Sequence, residues 1–180
     1  MKKWISGLLF LSAVCAAMPA LASGPFHVGF NVGMGLPRVP LAVYRPPVAL
    51  TGGVFAMARI NRRVGFQFTA NSLHAFSMGN AGKENEDLKF NTHWMGADLM
   101  VQWRGFFRNE SFFLLGYGRY DHDELLEGEE RSVKTGGLSL AMVQWNDHGG
   151  WALRYELRWH LLFEPDSRPQ ILTLTLGFML

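Results

Sequence analysis

The sequence has almost no cysteine, no large excess of either charge and, after its first residues, no long apolar run. The one cysteine among 180 residues, Cys15, lies near the amino terminus, so the rest of the chain can form no internal disulfide. The 17 basic residues nearly balance the 15 acidic residues, which argues against a nucleic-acid partner. No stretch after residue 22 approaches the roughly 20 apolar residues of a membrane-spanning helix. If the chain is exported, its stability must therefore come from hydrogen bonds and packing.

The first 22 residues have the organisation of a secretory signal peptide. Lys2 and Lys3 form a positive start, Ile5–Met18 is mostly apolar, and residues 20–22 read Ala-Leu-Ala, a small-residue cleavage pattern. We expect cleavage before Ser23, which leaves residues 23–180 as one exported domain. Without the two lysines, the mature domain has 15 basic and 15 acidic residues and a formal charge of zero.

The last thirty residues alternate between apolar and polar side chains with a period of two. From Trp151 to Leu161 every second residue is apolar or aromatic, and Leu172–Leu180 repeats the pattern. The charged or imidazole-bearing positions in between are Arg154, Glu156, Arg158 and His160. Strands of about 9–11 residues with one apolar and one charged face are typical of transmembrane β-barrels, in which the apolar face contacts lipid.

The same alternation predicts six earlier strands. They lie near Phe26–Gly35, Ala49–Ile60, Val64–Phe76, Thr92–Trp103, Phe113–Gly118 and Thr135–Trp145. The phase of the second strand is ambiguous, since Val54 and Ala56 compete with Phe55 and Met57 for the outer face. The long polar connections are Leu36–Pro47, Gly79–Lys89 and Asp121–Lys134, and they alternate with short turns. We therefore predict an all-β fold, an eight-stranded antiparallel up-and-down transmembrane barrel with long outer loops and short periplasmic turns.

Aromatic residues cluster near the predicted strand ends. In membrane barrels, aromatic rings form girdles at the two lipid–water interfaces. The predicted girdle residues are Phe26, Trp94, Trp103, Trp145, Trp151, Trp159 and Phe178.

Charged side chains on the inner face of the barrel predict a filled interior. Eight strands leave room only for side chains, and enclosed charges must pair or stay hydrated. The inward residues that we expect to form a lumen ion-pair network are Arg154, Glu156, Arg158, Asp98 and Gln102. Such a plug would hold strand register; a gated pore is the alternative.

The sequence contains few groups of residues that could form a catalytic or metal-binding site. It has no Gly-x-Ser-x-Gly, no phosphate-binding loop and no Cys-x-x-Cys. The histidines expected near the outer rim are His74, His93, His122 and His160, with Asp121, Asp123 and Glu164 nearby. A metal or hydrolase site could be drawn from them, but no zinc-type spacing is present. We predict no metal and no cofactor, and the balance is against an enzyme.

Two stretches carry a resemblance to a known class. Gly150–Arg158 (GWALRYELR) resembles the penultimate strand of small outer-membrane barrels similar to the transmembrane domain of outer-membrane protein A, and Leu172–Phe178 (LTLTLGF) resembles their closing strand. The resemblance implies a monomer in a Gram-negative outer membrane, in contact with lipid and lipopolysaccharide. It also implies that the barrel-assembly machinery reads the last strand, although Leu180 stands where such barrels usually end in Phe or Trp. A structural or adhesive role follows from this class.

Two other functions stay open. Lipid A deacylases of the outer membrane share this size and carry His-x-Ser-Asn at a strand end, where this chain has His160 but Leu162 and Phe163. His160 is therefore the candidate catalytic residue of that alternative, without a serine beside it to activate. The other alternative is a surface adhesin that acts through the loops Gly79–Lys89 and Asp121–Lys134.

Overall fold

The chain forms a closed barrel of eight antiparallel strands. The computed structural model describes residues 26–38, 48–75, 90–103, 110–126, 129–164 and 168–180. The strands are β1 Phe26–Arg38, β2 Ala49–Arg59, β3 Val64–Ala75, β4 Phe90–Trp103, β5 Glu110–Leu126, β6 Glu129–Asp147, β7 Ala152–Leu162 and β8 Gln170–Met179. Each strand pairs with the next, and β8 pairs with β1. The predicted fold class is thus confirmed.

Closure of the barrel depends on the pairing of the first and last strands. The ladder runs from Gly29 opposite Met179 to Arg38 opposite Gln170. Val28 and Leu180 extend it by exchanging backbone hydrogen bonds of 3.1 and 2.9 Å. A closed sheet has no edge with unpaired backbone groups. The described part of the chain holds no helix both long and apolar enough to cross a bilayer.

The apolar faces of the strands point outward. In β8, Leu172, Leu174 and Leu176 are 40–61% exposed, whereas Thr173 and Thr175 are at most 5% exposed. The same contrast decides the ambiguous phase of β2.

In β2, Val54 points outward with 59% exposure, and Phe55 and Met57 lie inside with 3% and 2%. Phe55 fits there because its neighbour on β1 is Gly29, where a Cβ atom would lie 2.5 Å from Phe55 Cζ.

Two predicted loop boundaries are wrong. Most of the predicted loop Asp121–Lys134 is a ladder, since β5 has 17 residues and β6 has 19 and they pair as far as Leu126 opposite Glu129. Charged side chains are compatible with a strand that projects into water, because neither face then meets lipid. The predicted loop Leu36–Pro47 also begins too early, as β1 continues to Arg38.

Other predicted features lie outside the described residues. They are the signal peptide 1–22 and the loop Gly79–Lys89, and both stay predictions.

Tight turns join β2 to β3 and β6 to β7 at one end of the barrel, which we call the turn end. One of the predicted short turns lies at Asn61–Arg63, where Asn61 Oδ1 accepts backbone N–H bonds from Arg63 and Val64 at 2.8 and 2.9 Å. Gly149 and Gly150, between β6 and β7, have φ angles of 75° and 118°, which favour glycine. The opposite end, which holds the connections after β1, β3, β5 and β7, is called the loop end.

Candidate functional site

The buried side chains inside the barrel lie in three layers, two of them apolar. The turn-end cluster consists of Phe55, Met57, Met100, Phe112, Leu114, Ala141, Val143, Trp145, Ala152 and Met179. The loop-end cluster consists of Ala49, Leu73, Trp94, Tyr120, Leu162 and Ile171. Buried polar side chains lie between them. Many inward positions near both ends carry large apolar residues, which the sequence pattern did not predict.

Arg158 is the centre of the polar layer. Its Nη1 and Nη2 donate to the two carboxylate oxygens of Asp98 at 2.7 and 2.9 Å, and its Nε donates to Glu156 Oε1 at 2.5 Å. This guanidinium reaches from β7 to β4 on another part of the barrel wall. Planar two-bond pairing of this kind is the strongest arrangement that a side-chain ion pair offers.

Arg154 is the second cation of this layer. It donates to the Glu156 carboxylate and, at 2.7 Å, to Gln67 Oε1. Its guanidinium carbon lies 4.2 Å from the centre of the Phe55 ring, a cation–π distance. The layer therefore meets the turn-end cluster through an aromatic face.

The polar layer has equal numbers of positive and negative groups. Two arginines face Asp98 and Glu156, and all four side chains are at most 2% exposed. Buried ions are tolerated when each has a partner and good hydrogen bonds. Each of these four groups has an oppositely charged partner, whereas Nε and Nη1 of Arg154 are buried without a hydrogen bond to any described residue. We call Arg154, Glu156, Arg158 and Asp98, with the bonded Gln67 and Ser139, the ionic cluster.

Sequence reasoning missed two members of the ionic cluster and included one residue that is not in it. Ser139 Oγ donates to Asp98 at 3.1 Å and accepts from Arg158 at 2.9 Å, and Gln67 donates to Asp98 at 3.3 Å. Among the described contacts, the Gln102 side chain bonds to no member of the cluster. Its backbone N–H donates to Arg63 O, at the turn end. Gln67 and Ser139 both occupy inward polar positions, so the period-two pattern was the available signal.

Glycine makes room for the ionic cluster. Gly116 lies directly opposite Asp98, and a Cβ atom there would lie 1.9 Å from Asp98 Oδ1 and 2.8 Å from Ser139 Oγ. Any side chain at this position would displace the carboxylate that holds Arg158.

His160 lies inside the barrel. Its ring is fully buried, its Nδ1 is 2.8 Å from the Tyr120 hydroxyl, and its centre is 4.8 Å from the Trp94 ring, edge to face. The deacylase alternative needs His160 to meet lipid, and a ring enclosed by the barrel wall cannot do so. The structure therefore gives no support to a catalytic His160.

The four predicted outer-rim histidines are not brought together. His160 and His122 are buried, and His122 Nε2 lies 3.1 Å from Glu164 Oε1 in an enclosed pair. His74 and His93 are exposed on the outer wall, with ring centres 5.7 Å apart. In the described part of the chain, no three His, Cys, Asp or Glu side chains converge as metal ligands.

A row of polar side chains crosses the outer wall near the loop end. In the ladders, Ser72 on β3 faces His93 on β4, His93 faces Asp121 on β5, and Asp121 faces Lys134 on β6. Ser72 Oγ lies 2.7 Å from His93 Nδ1, and Asp121 Oδ2 lies 3.4 Å from Lys134 Nζ. We call these four residues the rim row.

The girdle prediction is wrong for two tryptophans. Trp94 and Trp145 are each 3% exposed and point inward. Trp94 stacks on Tyr120, and Trp145 stacks on Phe112 with ring centres 4.4 Å apart. The five predicted girdle residues whose side chains lie on the outer wall are Phe26, Trp103, Trp151, Trp159 and Phe178. Successive side chains of a strand point to opposite faces. Because Met95 points outward with 69% exposure, its neighbour Trp94 must point inward.

An ion pair crosses the interior at the turn end. Arg59 on β2 pairs with Glu110 on β5, and Trp145 Nε1 donates to the same carboxylate at 2.8 Å. The Arg59 guanidinium carbon lies 4.9 Å from the centre of the Trp145 ring. A cavity of about 120 Å³ beside them is lined by His27, Asp147 and Leu180 among others.

Solved structures of other proteins share this architecture. The structure of Neisserial surface protein A (NspA) matches with a TM-score of 0.66 and 12% identity, over 87% of this chain and 97% of that chain. Ail, the attachment invasion locus protein of Yersinia pestis, matches with a TM-score of 0.51 and 11% identity, over 86% and 98%. The chain has the fold of the small eight-stranded outer-membrane β-barrels.

At identities of 11–12%, these likenesses show a shared fold. No protein-family model matches the sequence, and no curated protein matches it.

Proposed function

We propose that the protein is an integral outer-membrane barrel that conducts no solute and serves as a rigid scaffold for surface contacts. The observation that carries this proposal is the ionic cluster, fully buried between two apolar clusters. A water-filled channel needs a continuous polar path, and the turn-end and loop-end clusters interrupt it on both sides of the ionic cluster.

The ionic cluster also supports a role in strand register. Its side chains come from β3, β4, β6 and β7, so its bonds connect strands that are not all neighbours in the wall. A slip of one residue would turn every inward side chain to the outside. For Arg158 that slip would place a guanidinium in lipid and leave Asp98 buried without its partner.

The outer wall supports placement in a bilayer. Lipid would meet the exposed apolar faces, and Phe26, Trp103, Trp151 and Phe178 would lie at the periplasmic interface with Trp159 at the outer one. Outer-membrane lipid and lipopolysaccharide are then the expected lipid partners. We propose that the barrel acts as a monomer and that the assembly machinery reads β8.

The β5–β6 hairpin supports a surface-interaction role. Its strands of 17 and 19 residues exceed the roughly 9–11 residues of one crossing, so several residues of each project beyond the loop-end rim. Asp123, Arg131 and Ser132 lie in this projection and are exposed. NspA and Ail are named for the cell surface and for attachment, which accords with such a role.

Conductance in a planar bilayer tests the scaffold. We expect no stable conductance from the purified protein, in a membrane where a general porin added afterwards opens normally. Frequent openings of porin size by this protein would contradict the closed interior.

The lack of cysteine after Cys15 makes orientation testable. On intact cells, a membrane-impermeant maleimide should label Ser132→Cys in the hairpin and leave Asn61→Cys, in the turn, unlabelled until the outer membrane is opened. Labelling of Asn61→Cys on intact cells would reverse the proposed orientation.

A further inference from the structure

The rim row places a serine, a histidine and an aspartate side by side on the outer wall. Ser72 and Asp121 lie on opposite sides of His93, because β3 and β5 flank β4. Cross-strand neighbours on one face have Cβ atoms about 4.5–5.5 Å apart, so the sheet itself holds the three side chains in order. The 2.7 Å contact between Ser72 Oγ and His93 Nδ1 is the geometry of a nucleophile beside its general base.

The His93 ring packs against a second histidine. His74, two positions along β3 from Ser72, meets the His93 ring edge to face, with an interplanar angle of 76°. The His74 ring is itself bonded, since its Nδ1 lies 3.1 Å from Asn91 Oδ1. Asn91 lies two positions from His93 on the same face of β4.

The depth of the rim row suits a lipid ester. Four positions nearer the turn end, the same face carries Phe68 and Tyr117, each 60% exposed. Met95 and Arg119 lie between these levels, so the wall changes from apolar to polar over the four positions below the row. Acyl esters lie at this boundary between hydrocarbon and headgroups in a bilayer.

The geometry points to an acyl-ester hydrolase site on the outer wall, with Ser72 as nucleophile and His93 as base, acting on acyl esters of outer-leaflet lipids. Asp121 is a positioning residue, which faces His93 from β5 and stabilises the imidazolium that forms. The Asn91 amide, on the same face, offers N–H donors to the oxyanion. This activity goes beyond the scaffold role and rests on the proposed orientation, with the loop end at the outer leaflet.

The reaction needs only lipid and water. Ser72 Oγ attacks the ester carbonyl carbon while His93 Nδ1 takes the hydroxyl proton. The C–O bond to the alcohol then breaks, and the departing oxygen receives that proton from His93. Water attacks the acyl–Ser72 ester, gives one proton to Ser72 Oγ by way of His93, and releases the fatty acid.

A fluorescent alkyl fluorophosphonate, which reacts with activated serines, tests the site without knowledge of the natural lipid. The full-length protein is reconstituted in vesicles that contain lipopolysaccharide, and mass spectrometry locates the adduct. We expect labelling at Ser72, none in Ser72→Ala, and labelling at least about 100-fold slower in His93→Asn, since general bases contribute about 10²–10⁴. Ser132→Ala is the matched control, because it removes another exposed serine near the loop end and should label like the wild type.

Hydrolysis of a p-nitrophenyl acyl ester gives a second readout. Asp121→Asn should lower kcat with KM unchanged, and Asp121→Glu should recover part of the loss. Wild-type protein that is folded yet unlabelled, an adduct that persists in Ser72→Ala, or full-rate labelling of His93→Asn would each overturn the proposal. The folded state of each variant is read from the faster migration of an unheated barrel on a detergent gel.

Discussion

Arg158 and Asp98 join β7 to β4 through two parallel hydrogen bonds of 2.7 and 2.9 Å, with both side chains 2% exposed. This pair connects parts of the wall that share no ladder. It therefore gives the barrel a cross-link that the backbone hydrogen bonds alone do not supply.

Removal of one partner of this pair should be costly. Asp98→Ala leaves Arg158 buried with one carboxylate fewer, and breaking a buried ion pair in this way costs about 3–5 kcal/mol of unfolding free energy. Urea titration in lipid vesicles, followed by tryptophan fluorescence, measures the change. Gln102→Ala, an inward substitution on the same strand, is the control and should cost well under half as much. Equal losses in the two variants would mean that the pair has no special role.

Gly116→Ala should destabilise the barrel through Asp98. The new methyl group would meet Asp98 Oδ1 at 1.9 Å, and overpacking of this kind costs about 1–3 kcal/mol. Since the clash is with the carboxylate, the cost should shrink in an Asp98→Ala background, which the same titration of the double variant measures. Gly52→Ala is the control, because its methyl group would have no contact closer than 3.4 Å. If the losses of unfolding free energy in Gly116→Ala and Asp98→Ala simply add in the double variant, the effect of Gly116→Ala does not come from a clash with Asp98.

Tyr120→Phe should cost about 1–3 kcal/mol, since it leaves the buried Nδ1 of His160 without its hydroxyl partner. The shift in the urea midpoint at unchanged slope measures it. Tyr117→Phe removes the same atom from a ring that is 60% exposed on the outer wall and should change stability by less than about 0.5 kcal/mol. A smaller loss for Tyr120→Phe than for Tyr117→Phe would argue against the buried bond.

The tryptophans should divide into two groups by their access to lipid. In variants that retain one tryptophan each, brominated lipid should quench Trp103, Trp151 and Trp159, which are 36–38% exposed, and should spare Trp94 and Trp145, which are 3% exposed. The physical reason is distance, because quenching needs near contact between indole and bromine. Strong quenching of Trp94 would show that its side chain faces lipid and would contradict its inward orientation.

The architecture was accessible from the sequence because each strand has two unlike faces. Period-two alternation from Phe26 and from Trp151 indicated which residues face outward, and the observed pairing of β1 with β8 agrees with it. The projecting hairpin was missed because Asp121 and Asp123 were interpreted as loop residues. Charged residues indicate that a segment lies in water and not in lipid. They do not show whether that segment is a loop or a strand.

The members of the candidate sites were harder to predict. Period two shows that Gln67, Gln102 and Ser139 point inward, but it says nothing about their height in the barrel relative to Arg158. That height depends on the stagger between strands, which the ladders set. The same limit hid the contact between Ser72 and His93, which are 21 residues apart and become neighbours only when β3 and β4 pair.

The sequence by itself determined that the chain makes a barrel with an apolar outer face, since the alternation of apolar and polar residues is a local property of consecutive residues. Tertiary structure alone decided which inward charges meet, that His160 is enclosed, and that Ser72, His93 and Asp121 form one row. Those contacts join different strands, and their geometry comes from register and closure, which no single stretch of the chain encodes.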